Sequence, residues 1–163
     1  MKRHPSSAIS YLAFFLALSL LLSWLESLLP PLLPIPGFRL GLSQIPVLLA
    51  LYRLGYPEAA MVSLGKVFLS SLILGSFMTF LFWVGILGSL GSLLLLWLSR
   101  TGSLWYRSIL SALGHNLGQF LAVSLFLGYG AVRPLIPLFL AFSVLLGLLT
   151  ALLTRLILQR LPK

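Results

Sequence analysis

A short polar segment, GHNLGQ at residues 114–119, interrupts a run that is otherwise mostly apolar. His115 and Gln119 are one helical turn apart, Ser111 precedes His115 by one turn, and Asn116 lies beside this line. A neutral imidazole offers one donor and one acceptor, and amides offer both, so the segment predicts a stripe that binds a polar ligand. The alternative is that these side chains only satisfy one another inside the protein.

Three charged residues lie close to these apolar runs. Helix rise places Lys66 about 12 Å into its helix, and His115 at a similar depth in another. A charge near a bilayer centre costs at least about 2.5–3.5 kcal/mol, so Lys66 is expected to snorkel, to contact carbonyls or to meet an anionic ligand. Glu26 is expected roughly 15 Å away in a second polar layer. It can pair with Arg39, either to fix a loop or to form an outer gate or ligand contact.

The inventory of reactive side chains argues against chemistry at this site. The chain has no cysteine and no aspartate, and Glu26 and Glu58 are its only acidic side chains. Zinc–thiolate sites, thiolate nucleophiles and clustered carboxylates for Mg²⁺ are therefore excluded. We predict no catalytic residue, no metal site and no cofactor.

The composition predicts the elements that must position these residues. Apolar residues make up 60% of the chain and charged residues 8%, and the mean hydropathy is +1.10, values typical of an integral membrane protein. The expected fold is an all-α bundle of six transmembrane helices in a single domain, residues 1–163. The second run contains Pro46 and is short for a span, so we expect it to be kinked or partly sunk behind its neighbours. The predicted spans are about 9–29, 40–54, 58–74, 79–98, 108–127 and 135–158.

The basic residues predict the orientation of the chain. The formal net charge is +9, but the basic residues are scattered between apolar runs, which argues against nucleic-acid binding. With six spans, Arg39 and Arg133 fall on one side of the membrane. The other side carries many more basic residues, so the positive-inside rule places both termini in the cytoplasm of a cell-membrane protein. These residues are Lys2, Arg3, Arg53, Arg100, Arg107, Arg155, Arg160 and Lys163.

Small residues predict close helix contacts. Gly114 and Gly118 form a GxxxG pattern, and Ala13 and Ala17 are one turn apart on the first helix. Such spacing lets helix backbones approach closely in lipid. Packing within the chain is the ordinary interpretation, and the first helix is the best candidate for docking another membrane protein.

Several segments in this order resemble the small membrane family called Gx transporter or heptaprenyl diphosphate synthase component I. They are LESLLP at residues 25–30, PGFRLGLSQI at 36–45, LGYPEA at 54–59 and GHNLGQ. The chain departs from the family at Ser43 and Gln44, where a small residue and asparagine are expected, so no role is assigned to Gln44.

That family resembles the substrate-binding S components of energy-coupling factor (ECF) transporters. The resemblance implies a six-helix, lipid-embedded protein that captures a small molecule from outside. It also implies docking through Ala13 and Ala17 onto a coupling subunit driven by two ATPases. It places the pocket between helices four to six and the loop before Arg39. Together with the polar residues above, this predicts ligand contacts from Lys66, His115, Asn116 and Gln119, with Arg39 and Glu26 at the outer gate.

The leading hypothesis is therefore a non-enzymatic S subunit of an ATP-driven importer. Its ligand would be anionic or related to isoprenoids or quinones. The alternative is a non-catalytic membrane anchor for a soluble prenyl diphosphate synthase, docked through SRTGSLWYR at residues 99–107. A self-sufficient channel or carrier is less favoured, because only Glu26 could serve in ion coupling.

Overall fold

A computed structural model of the protein describes residues 5–28 and 41–160. Helices make up most of this part of the chain, and two short 3₁₀ turns at Leu42–Gln44 and Arg133–Leu135 precede two of them. The predicted proline-rich loop and Arg39 lie outside the described residues. The helices are α1 (Pro5–Leu28), α2 (Ile45–Arg53), α3 (Tyr56–Ile73), α4 (Phe80–Leu98), α5 (Leu104–Leu127), α6 (Tyr129–Val132) and α7 (Ile136–Arg160).

Four of the described helices are long and apolar enough to cross a membrane: α1, α4, α5 and α7 with its preceding turn. The sequence also predicted spans over 40–54 and 58–74, where the structure has α2 and α3. At 1.5 Å per residue the nine residues of α2 extend about 14 Å, well short of the roughly 30 Å hydrocarbon core. The 18 residues of α3 include Glu58 and Lys66, which lower its hydropathy.

The short helix α2 is enclosed by its neighbours rather than exposed to lipid. Residues 45–51 are all buried, and they form one apolar cluster with Phe15, Val62 and Leu96. Burial on every side explains why α2 reads as a continuous apolar run although it is too short to span. The expectation that this segment is sunk behind its neighbours agrees with the structure.

Glycines bring α4 and α5 into backbone contact. A methyl group added to Gly91 or to Gly114 would collide with the carbonyl oxygen of the other, and one added to Gly118 would collide with the carbonyl of Leu87. The GxxxG pattern of α5 therefore serves packing within the chain. This contact fixes which face of α5 is turned toward the interior.

Buried hydroxyls complete the attachment of α5 to its two neighbours. The hydroxyls of Ser92 and Ser111 are 2.7 Å apart and join α4 to α5. Ser108 donates to the carbonyl of Gly147 at 2.8 Å and lies 2.8 Å from the Thr150 hydroxyl, which joins α5 to α7. Helix α5 is held on both sides, and its His115 and Gln119 side chains are positioned accordingly.

Candidate substrate-binding site

A cavity of about 50 Å³ lies between α1, the 3₁₀ turn before α2, α3, α4 and α5. Its wall contains two charged side chains, an imidazole, an amide and five serines, an unusual concentration of polar groups for so apolar a protein. The polar lining residues are Ser23, Glu26, Ser43, Lys66, Ser70, Ser71, Ser76, His115 and Gln119.

Lys66 is buried at the wall of this cavity, with 4% of its surface exposed. Its ammonium group donates to the carbonyl oxygen of Ser43 at 3.2 Å and to the Ser43 hydroxyl at 3.1 Å. Ser19 of α1 donates to the same carbonyl at 2.8 Å. These contacts offset part of the cost of burying the ammonium group, which is several kcal/mol for an unsolvated ion.

Glu26 lies at the same cavity and holds the same turn. It is 6% exposed, and its Oε1 accepts a hydrogen bond from the backbone N–H of Leu42. The expected separation into two polar layers about 15 Å apart is wrong, because Glu26 and Lys66 contact the consecutive residues Leu42 and Ser43. The separation of Glu26 and Lys66 was estimated from helix rise alone. Helix rise gives no information about a turn of the chain between α1 and α3 that both side chains contact.

Gly41 shapes this turn. Its φ of +80° lies in the left-handed region, which L side chains with a Cβ rarely adopt, and it begins the 3₁₀ turn Leu42–Gln44. The backbone N–H of Gln44 donates to the carbonyl of Gly41 at 2.9 Å, and this hydrogen bond closes the turn. The turn thereby points the N–H of Leu42 toward Glu26 and the carbonyl of Ser43 toward Lys66.

Gln44 orients His115. Gln44 is 5% exposed, and its Nε2 lies 3.1 Å from Nδ1 of His115. Because an amide nitrogen only donates, Nδ1 accepts with the amide as placed, and Nε2 of the neutral imidazole then carries the proton. His115 therefore retains one N–H donor.

His115 lines both the main cavity and a second one. The second cavity, about 20 Å³, is also lined by Gln44, Asn116, Ser108 and other residues, mainly of α5 and α7. It has room for one water. The Oε1 atom of Gln44 is buried and has no hydrogen-bond partner among the described residues.

Gln119 lines the main cavity one turn beyond His115 and is 3% exposed. Gly88 of α4 makes room for both side chains. A methyl group at Gly88 would lie 2.9 Å from Cε1 of His115 and 3.0 Å from Cγ of Gln119. The absence of a side chain at Gly88 is thus part of the cavity.

Asn116 faces a different neighbour. Its Nδ2 donates to the Ser143 hydroxyl at 2.8 Å, and the residue lines the second cavity rather than the main one. One residue is about 100° around a helix, so Asn116 cannot share the direction of His115. Ser111 also turns away, to Ser92. The predicted stripe on α5 therefore contributes His115 and Gln119 to the cavity.

Sequence reasoning missed Gln44, and on α1 it identified Glu26 but not the two serines that share its face. Ser19, Ser23 and Glu26 are buried and spaced by four and three residues, the interval that places side chains on one side of a helix. This spacing of polar residues in an apolar helix could have predicted the face. The contact of Gln44 with His115 could not have been predicted, because it joins residues 71 positions apart.

The described part of the chain contains no group of three or more His, Asp or Glu residues that could hold a metal ion. On α1, Ala13 and Ala17 are both exposed, while Phe15 between them is 1% exposed and anchors the helix to the bundle. Of the four candidate spans α1 is the least covered, with 17% of its apolar window buried against 33% or more in the others.

These helices and this internal polar cavity define a multi-pass helical membrane protein. Its fold is similar to that of the S component of a bacterial ECF transporter, with a TM-score of 0.73, 18% sequence identity and 96% of each chain covered. The chain belongs to the family described as heptaprenyl diphosphate synthase component I, whose pattern it matches over residues 15–157. Comparison with curated proteins gives no match.

Proposed function

We propose that this protein is the substrate-binding subunit of an ECF-type, ATP-driven importer and captures a small molecule from the outer side of the cell membrane. The observation that carries the proposal is the internal cavity in which Lys66, His115 and Gln119 converge. Its location inside a fold shared with an ECF S component supports a role in binding and transport. We propose a single transmembrane domain of six helical segments, in which the short α2 lies inside the bundle and does not cross the membrane on its own.

The cavity wall favours a polar ligand whose anionic group binds at Lys66, because the other charged side chain, Glu26, is turned toward the N–H of Leu42. The ammonium of Lys66 and the N–H of His115 are donors suited to a carboxylate or phosphate, and Gln119 and the serines add uncharged hydrogen bonds. A cavity of about 50 Å³ is too small for a prenyl chain, so an isoprenoid or quinone-related ligand would place only a polar head in it. About 50 Å³ holds a few waters, so the walls must move apart when a larger ligand binds.

The remaining residues have supporting roles in this proposal. Glu26 holds the turn at Leu42, Asn116 acts through the contact between α5 and α7, and Arg39 is proposed to shape the outer entrance. None of these roles involves bond making, so the protein is proposed to be a binding subunit and not an enzyme. A coupling subunit with two ATPases would dock on Ala13 and Ala17, with both termini cytoplasmic.

Native mass spectrometry of the gently solubilised protein tests this function. The wild type is expected to retain a discrete small-molecule mass. Lys66→Ala and His115→Ala are each expected to remove one hydrogen bond to the ligand. For a charged ligand such a bond contributes about 1.5–3 kcal/mol to the binding free energy, so each variant should lose at least about tenfold in affinity. Leu117→Ala is the control for His115→Ala, because Leu117 is on the same helix and 51% exposed.

The family name raises the alternative of an anchor for a soluble prenyl diphosphate synthase. Co-purification of such an enzyme, lost on replacing Arg100, Trp105 and Arg107 and unaffected by Lys66→Ala, would establish the anchor. A ligand mass retained equally by the wild type and both cavity variants would contradict the proposed site.

A further inference from the structure

One end of the helix bundle carries arginines that the cavity does not use. Arg100 and Arg107 flank the short connection between α4 and α5. The guanidinium of Arg107 lies over the Tyr52 ring, 5.1 Å from its centroid, and Tyr52 adjoins Arg53 at the end of α2. Arg53 of α2, Arg107 of α5 and Arg100 in the connection after α4 therefore share this end, which we call the arginine end.

Aromatic rings hold two of these guanidinium groups in place. Arg100 lies 4.3 Å from the centroid of the Trp97 ring, and its Nε donates to the Trp97 carbonyl at 3.1 Å. The Nε of Arg107 is buried and has no hydrogen-bond partner among the described residues. Stacking occupies the face of a guanidinium, and Nε of Arg100 is already bonded while Nε of Arg107 is buried. The terminal Nη groups are therefore the donors suited to a phosphate.

The chain supplies little negative charge to balance this end. Of its two acidic side chains, Glu26 lies at the main cavity and Glu58 lies in the first turn of α3, shortly after Arg53. The formal net charge of the whole chain is +9. One carboxylate cannot balance three arginines, so further counter-charge at the arginine end must come from another molecule.

The surface next to the arginine end identifies the kind of molecule. Leu94, Trp97 and Leu98 are 57%, 46% and 62% exposed and share one face of α4, since they are spaced by three and one residues. The surface is cationic at the end of the helix and apolar along its side. Because α4 is long and apolar enough to cross a membrane, lipid covers this face, and a phospholipid there brings its headgroup to the arginine end.

We propose that the arginine end binds an anionic phospholipid. Arg100 and Arg107 donate to oxygens of the headgroup phosphate, and an acyl chain lies along the exposed face of Leu94, Trp97 and Leu98. The site is separate from the main cavity and does not depend on the transport function. It predicts a lipid that remains with the protein through purification.

The test titrates the purified protein with phosphatidylglycerol or with phosphatidylcholine of the same acyl chains, and counts bound lipids by native mass spectrometry. The wild type is expected to prefer phosphatidylglycerol. Arg100→Gln and Arg107→Gln should each lower that preference about fivefold, since a basic residue near an anionic lipid surface is worth about 1 kcal/mol. Arg133→Gln is the matched control, an exposed arginine that follows the opposite end of α5.

A second variant keeps the test decisive if Arg107→Gln fails to fold. Tyr52→Leu keeps every charge but removes the ring beneath Arg107, and should still lower the preference. Equal binding of the two lipids by the wild type, or an equal loss in Arg133→Gln, would overturn the proposal. So would unchanged lipid binding in the arginine variants together with loss of a co-purifying acidic protein.

Discussion

The hydrogen bond between Gln44 and His115 determines which imidazole nitrogen carries the proton. With Nδ1 accepting from the amide, Nε2 is the donor nitrogen of a neutral ring. A histidine that binds a metal ion is held in one tautomer by a hydrogen bond to its other ring nitrogen. The amide of Gln44 has the same effect on His115. Gln44 is therefore a positioning residue for His115.

Replacing Gln44 by Leu should release this tautomer. We expect the ¹⁵N resonances of His115 to move from the Nε2–H pattern toward a mixture of both neutral forms, with ligand affinity lowered by about fivefold, the value of one ordinary hydrogen bond. Histidine-labelled protein is suitable, because the chain has only two histidines.

Ser111→Ala is the control for this experiment, since Ser111 is one turn from His115 but bonds to Ser92. The same ¹⁵N pattern in Gln44→Leu and wild type would show that Gln44 does not set the tautomer.

At the residue scale the sequence predicts the identity of cavity residues better than their partners. Lys66, His115 and Glu26 stand out because polar groups are costly in an apolar helix. The partner of Lys66 could not be predicted, because Ser43 belongs to an irregular turn whose direction depends on the left-handed Gly41. The hydropathy of the sequence does not predict the direction of such a turn.

The contact between α4 and α5 is the clearest constraint among the elements. Gly91→Ala would push a methyl group into the Gly114 carbonyl, and backbone atoms cannot swing aside as a side chain can. We expect a loss of about 1–3 kcal/mol in unfolding free energy or more, measured by denaturant unfolding in detergent.

Gly130→Ala is the matched change, because a methyl group there meets nothing within 4 Å. Equal unfolding free energies for the two variants would mean that α4 and α5 can separate at little cost.

Hydropathy predicted the long helices well and α2 and α3 less well. The helices α1, α4, α5 and α7 coincide with predicted spans, because their length and apolar character are properties of each segment alone. Helix α2 is short yet entirely buried, which depends on the helices around it. A segment enclosed by protein and one enclosed by lipid are equally apolar, so sequence alone cannot separate them.

For the whole molecule, the exposed face of α1 is the part most suited to a membrane partner. Ala13→Leu with Ala17→Leu should fill the groove that two exposed alanines leave, and so block docking without disturbing the cavity. We expect ligand retention within about twofold of wild type, because exposed substitutions usually change stability by under about 0.5 kcal/mol. Substrate uptake by cells carrying the complete transporter should be abolished.

Ala141→Leu provides the comparison, since Ala141 is an exposed alanine on α7. Normal uptake with both α1 substitutions present would exclude this face as the docking surface.

The carbonyl of Ser43 accepts from two donors, Ser19 on one helix and Lys66 on another. This redundancy matters when a ligand arrives. If Lys66 turns its ammonium group toward an anion, Ser19 still satisfies the carbonyl, and the penalty of about 1–3 kcal/mol for stranding a buried acceptor is avoided. Lys66 can therefore exchange its contact with Ser43 for a contact with the ligand at little cost in free energy.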